Sequence, residues 1–205
     1  MNIVNPKNFN KSDIQFSDVK PNNYGGKMVY INNKNSTFLI QTPEMFIPYG
    51  LGENEITDQK TGEVTGHKYH VNLSFKGIDN VGSGDPKVKK NQKKLKDFHK
   101  MIQDIDDIVL EQACGSKSLQ WLKQKKCSKE TAMALYSPML IKSKDKETQE
   151  PDGKYPDTIK GKIQYWEGVF KTEIYNENKE LVDLKASIVK GTEAKALLQC
   201  TGIWC

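Results

Sequence analysis

A switch in hydrophobic period, from two to about 3.6 and back, most constrains the fold of this chain. His67 to Phe75 (HKYHVNLSF) carries the first period. Tyr69, Val71, Leu73 and Phe75 share one face of a strand, and Lys68, His70, Asn72 and Ser74 share the other. Leu95, Phe98, Ile102, Ile105 and Val109 recur at helical spacing. Asp85-Pro86 ahead of them predicts an N-cap followed by proline at the first helical position. Gly115 stops that helix. Ser118 to Lys126 predicts a short second helix, and Ser128 caps a third that runs through Leu135.

Strand-like runs flank this helical stretch on both sides. Lys27 to Ile31 and Thr37 to Gln41, with the turn-forming Asn32 to Ser36 between them, predict a hairpin. Residues 52–66 form a polar loop or small hairpin around Lys60-Thr61-Gly62, and Gly77 to Gly84 a loop. Beyond the helices, Ser137 to Ile141 is a β-prone run, and Lys142 to Tyr155 is a charged loop. Thr158 to Trp166 and Val169 to Tyr175 read as strands joined at Glu167-Gly168, a two-residue turn. Ala194 to Trp204 is a last apolar strand. Strands, a helical insertion and strands again predict an α+β fold with a largely antiparallel sheet. The architecture expected is an OB-like (oligonucleotide-binding) antiparallel β-barrel, with the helical insertion at about 85–135. Residues 1–26 read as a polar N-terminal arm and residues 27–205 as one domain.

Composition narrows the function classes. The 205 residues are 36% hydrophobic and 28% charged, material for one core with much exposed polar chain. No apolar run nears the roughly 18 residues of a membrane helix. The N-terminal MNIVNPKNFNKSDIQ lacks the apolar region of a signal peptide, so a soluble intracellular protein is expected. The four cysteines include no C-x-x-C pair, which argues against a zinc ribbon and for idle or buried thiols. Net charge is +5, carried by Lys without any Arg. Lys serves as a phosphate contact, but the lack of Arg argues against a sequence-specific duplex reader built on Arg–guanine forks.

Signatures of catalysis are thin. His67 and His70 form an H-x-x-H, but in a strand that spacing puts them on opposite faces. Gly82-Ser83-Gly84-Asp85 lacks the Gly-Lys-Ser/Thr of a phosphate-binding loop and reads as a lead into a capped helix. Pro156-Asp157 followed by Asp183-Leu184-Lys185 or Glu193-Ala194-Lys195 outlines a metal-dependent nuclease site. Acid-x-Lys triplets recur throughout the chain, however, so one downstream of a Pro-Asp arises by chance. No cofactor, metal or catalytic residue is therefore assigned.

Binding signals form two sets. Lys87, Lys89, Lys90, Lys93, Lys94, Lys96 and Lys100 crowd the first half of the long helix, against the preference of the helix dipole. A solvated face is the ordinary explanation of such a run. The second set joins strand-borne Lys68, Lys160, Lys162 and Lys171 to loop-borne Lys142, Lys144 and Lys146, with Tyr69, Tyr155 and Trp166 among them. A basic groove with aromatic platforms is how proteins bind single strands, so this second set is the expected site.

An ordered series of segments carries a family resemblance. It comprises Gln41-Thr42-Pro43-Glu44-Met45, Leu73-Ser74-Phe75-Lys76-Gly77 and Ala134-Leu135-Tyr136-Ser137-Pro138-Met139. It continues with Lys144-Asp145-Lys146-Glu147-Thr148, Asp152-Gly153-Lys154-Tyr155-Pro156 and Lys190-Gly191-Thr192, and ends at Gln199-Cys200-Thr201-Gly202-Ile203-Trp204. Over residues 27–204 the chain resembles the single-stranded DNA-binding proteins of nucleocytoplasmic large DNA viruses, which are similar to certain phage proteins of the same kind. The resemblance implies an OB-like fold, no enzymatic activity, and coating of DNA in viral replication, recombination and repair in host cytoplasm or nucleus. The partners expected are single-stranded DNA, replication proteins and a second copy of the chain, with no membrane. A non-enzymatic structural or transcription-associated viral protein is the alternative. The phage relatives continue into an acidic tail, so an end at Trp204-Cys205 reads as a truncation.

Overall fold

In the computed structural model, which describes residues 2–22, 25–79 and 84–204, short strands precede and follow three consecutive helices. The first strands are β1 (Asn2–Val4), β2 (Ile14–Phe16), β3 (Lys20–Pro21), β4 (Lys27–Asn33), β5 (Phe38–Gln41), β6 (Met45–Phe46), β7 (Leu51–Thr57) and β8 (Val64–Ser74). Helices α1 (Pro86–Cys114), α2 (Ser118–Leu122) and α3 (Lys129–Leu135) follow. The chain ends with β9 (Thr158–Ile163), β10 (Tyr165–Trp166), β11 (Val169–Phe170), α4 (Leu184–Ser187), β12 (Glu193–Ala194), β13 (Leu197–Cys200) and β14 (Gly202–Trp204). The fold is mixed α+β, as the order of periods predicts. Among the described residues, no helix is long and apolar enough to cross a membrane. Tyr24, Cys205 and the Gly82-Ser83 part of the glycine-rich lead lie outside the described residues.

The chain divides into two units, each built from separate stretches. Unit 1 takes Met1–Pro43, Ile78–Leu140 and Lys195–Cys205; unit 2 takes Glu44–Gly77 and Ile141–Ala194. In unit 1, α1 starts where Asp85 accepts a hydrogen bond from the Lys87 N–H at 2.8 Å and Pro86 presets the backbone. Its buried stripe is Leu95, Phe98, Met101, Ile102, Ile105, Ile108 and Val109. It ends at Gly115, whose N–H returns to the Glu111 and Gln112 carbonyls. The segment expected as a polar arm supplies β1 to β3 of this unit. β1 runs parallel to β5, while β2 and β3 pair antiparallel with β4. Its asparagines act locally, since Asn5 and Asn10 accept from the N–H groups of Lys7 and Ser12 and so cap two tight turns.

Three strand expectations are corrected in this part of the chain or beside it. The expected hairpin of β4 and β5 forms only its turn, with Lys34 and Asn35 at φ 50° and 63° and a single bridge from Asn33 to Ser36. β4 then pairs with β2, β3 and β14, and β5 with β1 and β13, because the polar N-terminal segment supplies competing edges. The last apolar run is split into β12, β13 and β14. At Gly202 the backbone passes so close to β4 that a Cβ would lie 2.3 Å from the Val29 carbonyl oxygen, which only glycine tolerates. Ser137 to Leu140 is not a strand, because the buried Asp106 carboxylate takes the N–H groups of Met139 (3.0 Å) and Leu140 (3.2 Å) that a ladder would use.

Unit 2 is organised by β8. It pairs antiparallel with β7 on one edge and β9 on the other, and meets β6 at its end. The β7–β8 hairpin closes where Asp58 accepts from the N–H groups of Lys60 and Thr61, just before Gly62 at φ 73°. Tyr69, Val71, Leu73 and Phe75 are buried, as the alternation predicts, with Ile159 and Ile163 of β9 on the same inner side. Glu167 and Gly168 form the expected two-residue turn between β10 and β11, at φ 52° and 79°. Past Phe170 the expected strand stops, and Lys171 to Tyr175 is irregular.

Candidate nucleic-acid interface

The outward face of unit 2 follows from strand register. Residues directly opposite in an antiparallel pair share a face. His70 faces Lys162 and Asn72 faces Lys160 across β8 and β9; Lys68 faces Asn54 and His70 faces Gly52 across β8 and β7. Lys68, His70, Asn72, Lys160 and Lys162 therefore form one outward patch. The three lysines are exposed, and none of them makes an ion pair among the described residues. The patch is cationic and lacks any carboxylate from the paired positions named above.

Aromatic side chains split between this face and the core. Trp166 is 54% exposed, and the Lys162 ammonium lies 5.1 Å from its ring centroid. Its neighbour Tyr165 turns inward, where Tyr165, Phe170 and Tyr69 meet with centroids 4.8 to 4.9 Å apart. Tyr69 is thus a core residue, 3% exposed, and stands on the opposite side of β8 from the lysines. Its hydroxyl donates to the Glu53 carboxylate at 2.8 Å, which pushes its pKa up to about 12, with burial adding to the effect. The same carboxylate lies 2.8 Å from Nδ1 of His67, without the alignment of a hydrogen bond. His67 and His70 occupy opposite faces of β8, as their spacing requires.

The charged loop is more ordered than its composition conveys. Asp145 accepts from the N–H groups of Glu147 and Thr148, which holds its carboxyl below the usual aspartate range. Ser143 Oγ donates to Asp152 and accepts from the Tyr155 N–H. These bonds fold Lys144 against Pro151 and leave Lys142, Lys144 and Lys146 exposed, together with Tyr155 at 62% exposure. The base of the loop joins the β9 side of the sheet, where Ile141 and Thr158 exchange backbone hydrogen bonds of 2.8 and 2.9 Å. Lys171 is exposed beyond the β10–β11 hairpin, held by its N–H bond to the Gln164 carbonyl.

The competing surface lies on unit 1. Lys87, Lys89, Lys90, Lys93, Lys94 and Lys96 are exposed on α1 and make no ion pair among the described residues; Lys100 bonds Asp104 at 2.9 Å. Burial acts to raise the Asp104 pKa, but the Lys100 and Lys11 ammoniums outweigh it and hold the carboxyl below its ordinary value. Exposed aromatics are missing from this helix; Phe98 is fully buried.

Of the acids in the nuclease outline, Asp183 caps α4 by accepting the Ala186 N–H at 2.8 Å with its carboxylate. Asp157 joins the residue just past β8 through its backbone, whose carbonyl receives the Phe75 N–H at 2.9 Å. Lys185 sits over the Tyr69 ring at 5.3 Å. Gly52, His70 and Asn72 are members of the outward face that the sequence does not mark as binding residues. His70 is visible in the alternation, but its pairing with Gly52 depends on register. The chain matches no protein-family model, no curated protein and no solved structure.

Proposed function

We propose that this chain binds single-stranded DNA without sequence preference and without catalysis, on an OB-like domain, using the outward face of unit 2. The observation that carries this reading is the co-facial set of Lys68, Lys160 and Lys162, which make no ion pair among the described residues and are bordered by the exposed Trp166. Lysines on a strand face bind phosphates through counterion release, and exposed rings offer stacking surfaces to unpaired bases. Lys142, Lys144, Lys146, Tyr155 and Lys171 extend the same chemistry along the loop and hairpin. Tyr69 supports the face from beneath and is not a contact. The ordered resemblance to viral single-stranded DNA-binding proteins supports the same reading, including its role in replication, recombination and repair.

Fluorescence anisotropy with oligo-dT and a matched duplex, at two salt concentrations, tests the function. Tighter binding to the single strand, weakening steeply with salt, is expected. Duplex binding as strong, or affinity indifferent to salt, refutes it. Retention of a protein partner without any DNA affinity favours the structural or transcription-associated alternative. Labelled single strands should stay intact with Mg²⁺ or Mn²⁺; cleavage abolished by Asp157→Ala would establish a nuclease instead.

A second surface is favoured by one observation, the six lysines of α1 that make no ion pair among the described residues. Paired variants separate the two. Lys160→Ala with Lys162→Ala should weaken binding, and Lys90→Ala with Lys94→Ala should not, both with folding checked. The reverse result moves the site to α1 while leaving the function intact.

A further inference from the structure

The pairing of Gly52 with His70 shapes the centre of the outward face. The imidazole lies across the glycine: an ideal Cβ at Gly52 would fall 2.3 Å from Nε2, 2.4 Å from Cε1 and 2.9 Å from Cδ2 of His70. Any side chain at position 52 would push the ring off the sheet. Glycine weakens a strand and commonly marks a place where another group approaches the backbone closely. Here the approaching group is a flat ring from the next strand, an arrangement that shields the bare glycine. Gly52 of β7 thus lies under one side of the imidazole, while the residue as a whole keeps part of its surface exposed.

The neighbours of the ring are the cations of the candidate site. Lys68 and Asn72 stand two residues away on β8, Lys162 stands directly opposite on β9, and Lys160 is its diagonal neighbour. Neighbouring strands lie about 4.8 Å apart, so a nucleotide on the ring would leave its phosphate within reach of these flexible side chains. Burial, and then the charge of Lys160, lower the His70 pKa and favour the neutral imidazole. A neutral ring is a surface for stacking rather than a fourth phosphate contact. Histidine serves in this way in single-strand recognition, alongside Phe, Tyr and Trp.

We propose that the His70 ring, seated on Gly52, is a base-stacking platform at the centre of the outward face, with Lys68, Lys160 and Lys162 holding phosphates around it. This inference rests on the single-stranded DNA reading and assigns one of its contacts.

The test measures affinity for oligo-dT and for an abasic oligonucleotide of the same length, using the full chain and its His70→Ala, His70→Phe and Gly52→Ala variants. Circular dichroism and thermal melting confirm folding. Loss of one stacked base should weaken dT binding by about tenfold in His70→Ala. Abasic binding should stay within about twofold, since only phosphate contacts remain to it. His70→Phe should keep the dT affinity, and Gly52→Ala should reproduce the loss by displacing the ring. Equal weakening of both ligands in His70→Ala, no weakening of either, or failure of a folded His70→Phe to hold dT overturns the platform. If the unaltered chain binds neither oligonucleotide, the DNA reading itself falls, a result distinct from all of these.

Discussion

Replacing Lys160 and Lys162 with alanine removes two ammoniums from the outward side of β9, opposite Asn72 and His70. Both side chains are exposed and neither makes an ion pair among the described residues. Stability should therefore change by no more than about 0.5 kcal/mol, as for ordinary surface substitutions. The effect on binding can be worked from polyelectrolyte behaviour. Each phosphate contact on a single strand contributes about 0.7 to the slope of log affinity against log salt, so two contacts contribute about 1.4. A fourfold rise in salt, from about 50 to about 200 mM, spans about 0.6 log units, so the advantage of the unaltered chain should shrink about sevenfold over that interval.

The assay is anisotropy titration of oligo-dT at four or more salt concentrations for both proteins, with chemical denaturation to confirm equal folding. Two parallel lines would refute the reasoning even if the variant bound more weakly. Parallel lines would mean that the lysines act through the shape of the sheet and not through phosphate neutralisation. Lys162 also lies over the Trp166 ring. Lys160→Ala alone is the cleaner single substitution, and its slope change should be about half that of the pair.

Further outcomes follow from other parts of the two units. Trp166→Ala and Tyr155→Ala, both at exposed positions, should each weaken oligo-dT binding up to about tenfold with little change in melting temperature, measured by anisotropy and calorimetry. Tyr69→Phe should leave DNA affinity unchanged while removing the hydrogen bond to Glu53, at a cost of about 1 kcal/mol in urea denaturation. Asp106→Ala orphans the Tyr136 hydroxyl and two backbone N–H groups and should cost about 3 kcal/mol in the same assay. Asp104→Asn should destabilise at neutral pH. The folded-state pKa of Asp104 is depressed, so its contribution is complete above the ordinary aspartate value near 3.9 and fades as pH falls through the lower folded value. Equilibrium unfolding between neutral and strongly acid pH should show the two proteins converging.

What was legible in the sequence divides along a physical line. Features set by residues close in the chain could be read directly. The Asp85-Pro86 start and the Gly115 end of α1 are local capping chemistry, and the buried stripe of α1 and the buried face of β8 are local periodicity. The Glu167-Gly168 turn belongs to the same class. Pairing choices are set by competition between distant segments, and there the reading failed. The asparagine-rich stretch reads as a polar arm, yet the turns that its asparagines cap lie between β1 and β2, which pair with β5 and β4. Once those edges exist, a hairpin between β4 and β5 has no advantage. Asp106 acts in the same way on Ser137 to Leu140: a buried carboxylate from a helix captured amide groups that local β propensity had assigned to a ladder.

The candidate site shows the same division at the level of single side chains. Alternation alone puts Lys68 and Tyr69 on opposite faces of β8, so the two cannot share one binding face, and the burial of Tyr69 makes the Lys68 side the outward one. Counting Tyr69 among the stacking aromatics overlooks that face: nearness in sequence to Lys68 does not put the ring on the lysine side, and its hydroxyl is tied to Glu53. The co-facial arrangement of Lys68, Lys160 and Lys162 was implicit in two separate strands and needed only their register, which pairs Asn72 with Lys160 and His70 with Lys162. Had β9 slipped by one residue, both lysines would face the core and Ile159, Gly161 and Ile163 would face water. The burial of Ile159 and Ile163 and the outward charge of Lys160 and Lys162 thus enforce a single register between them. The hydrophobic side of β9 holds the cationic side in place for the strand it is proposed to bind.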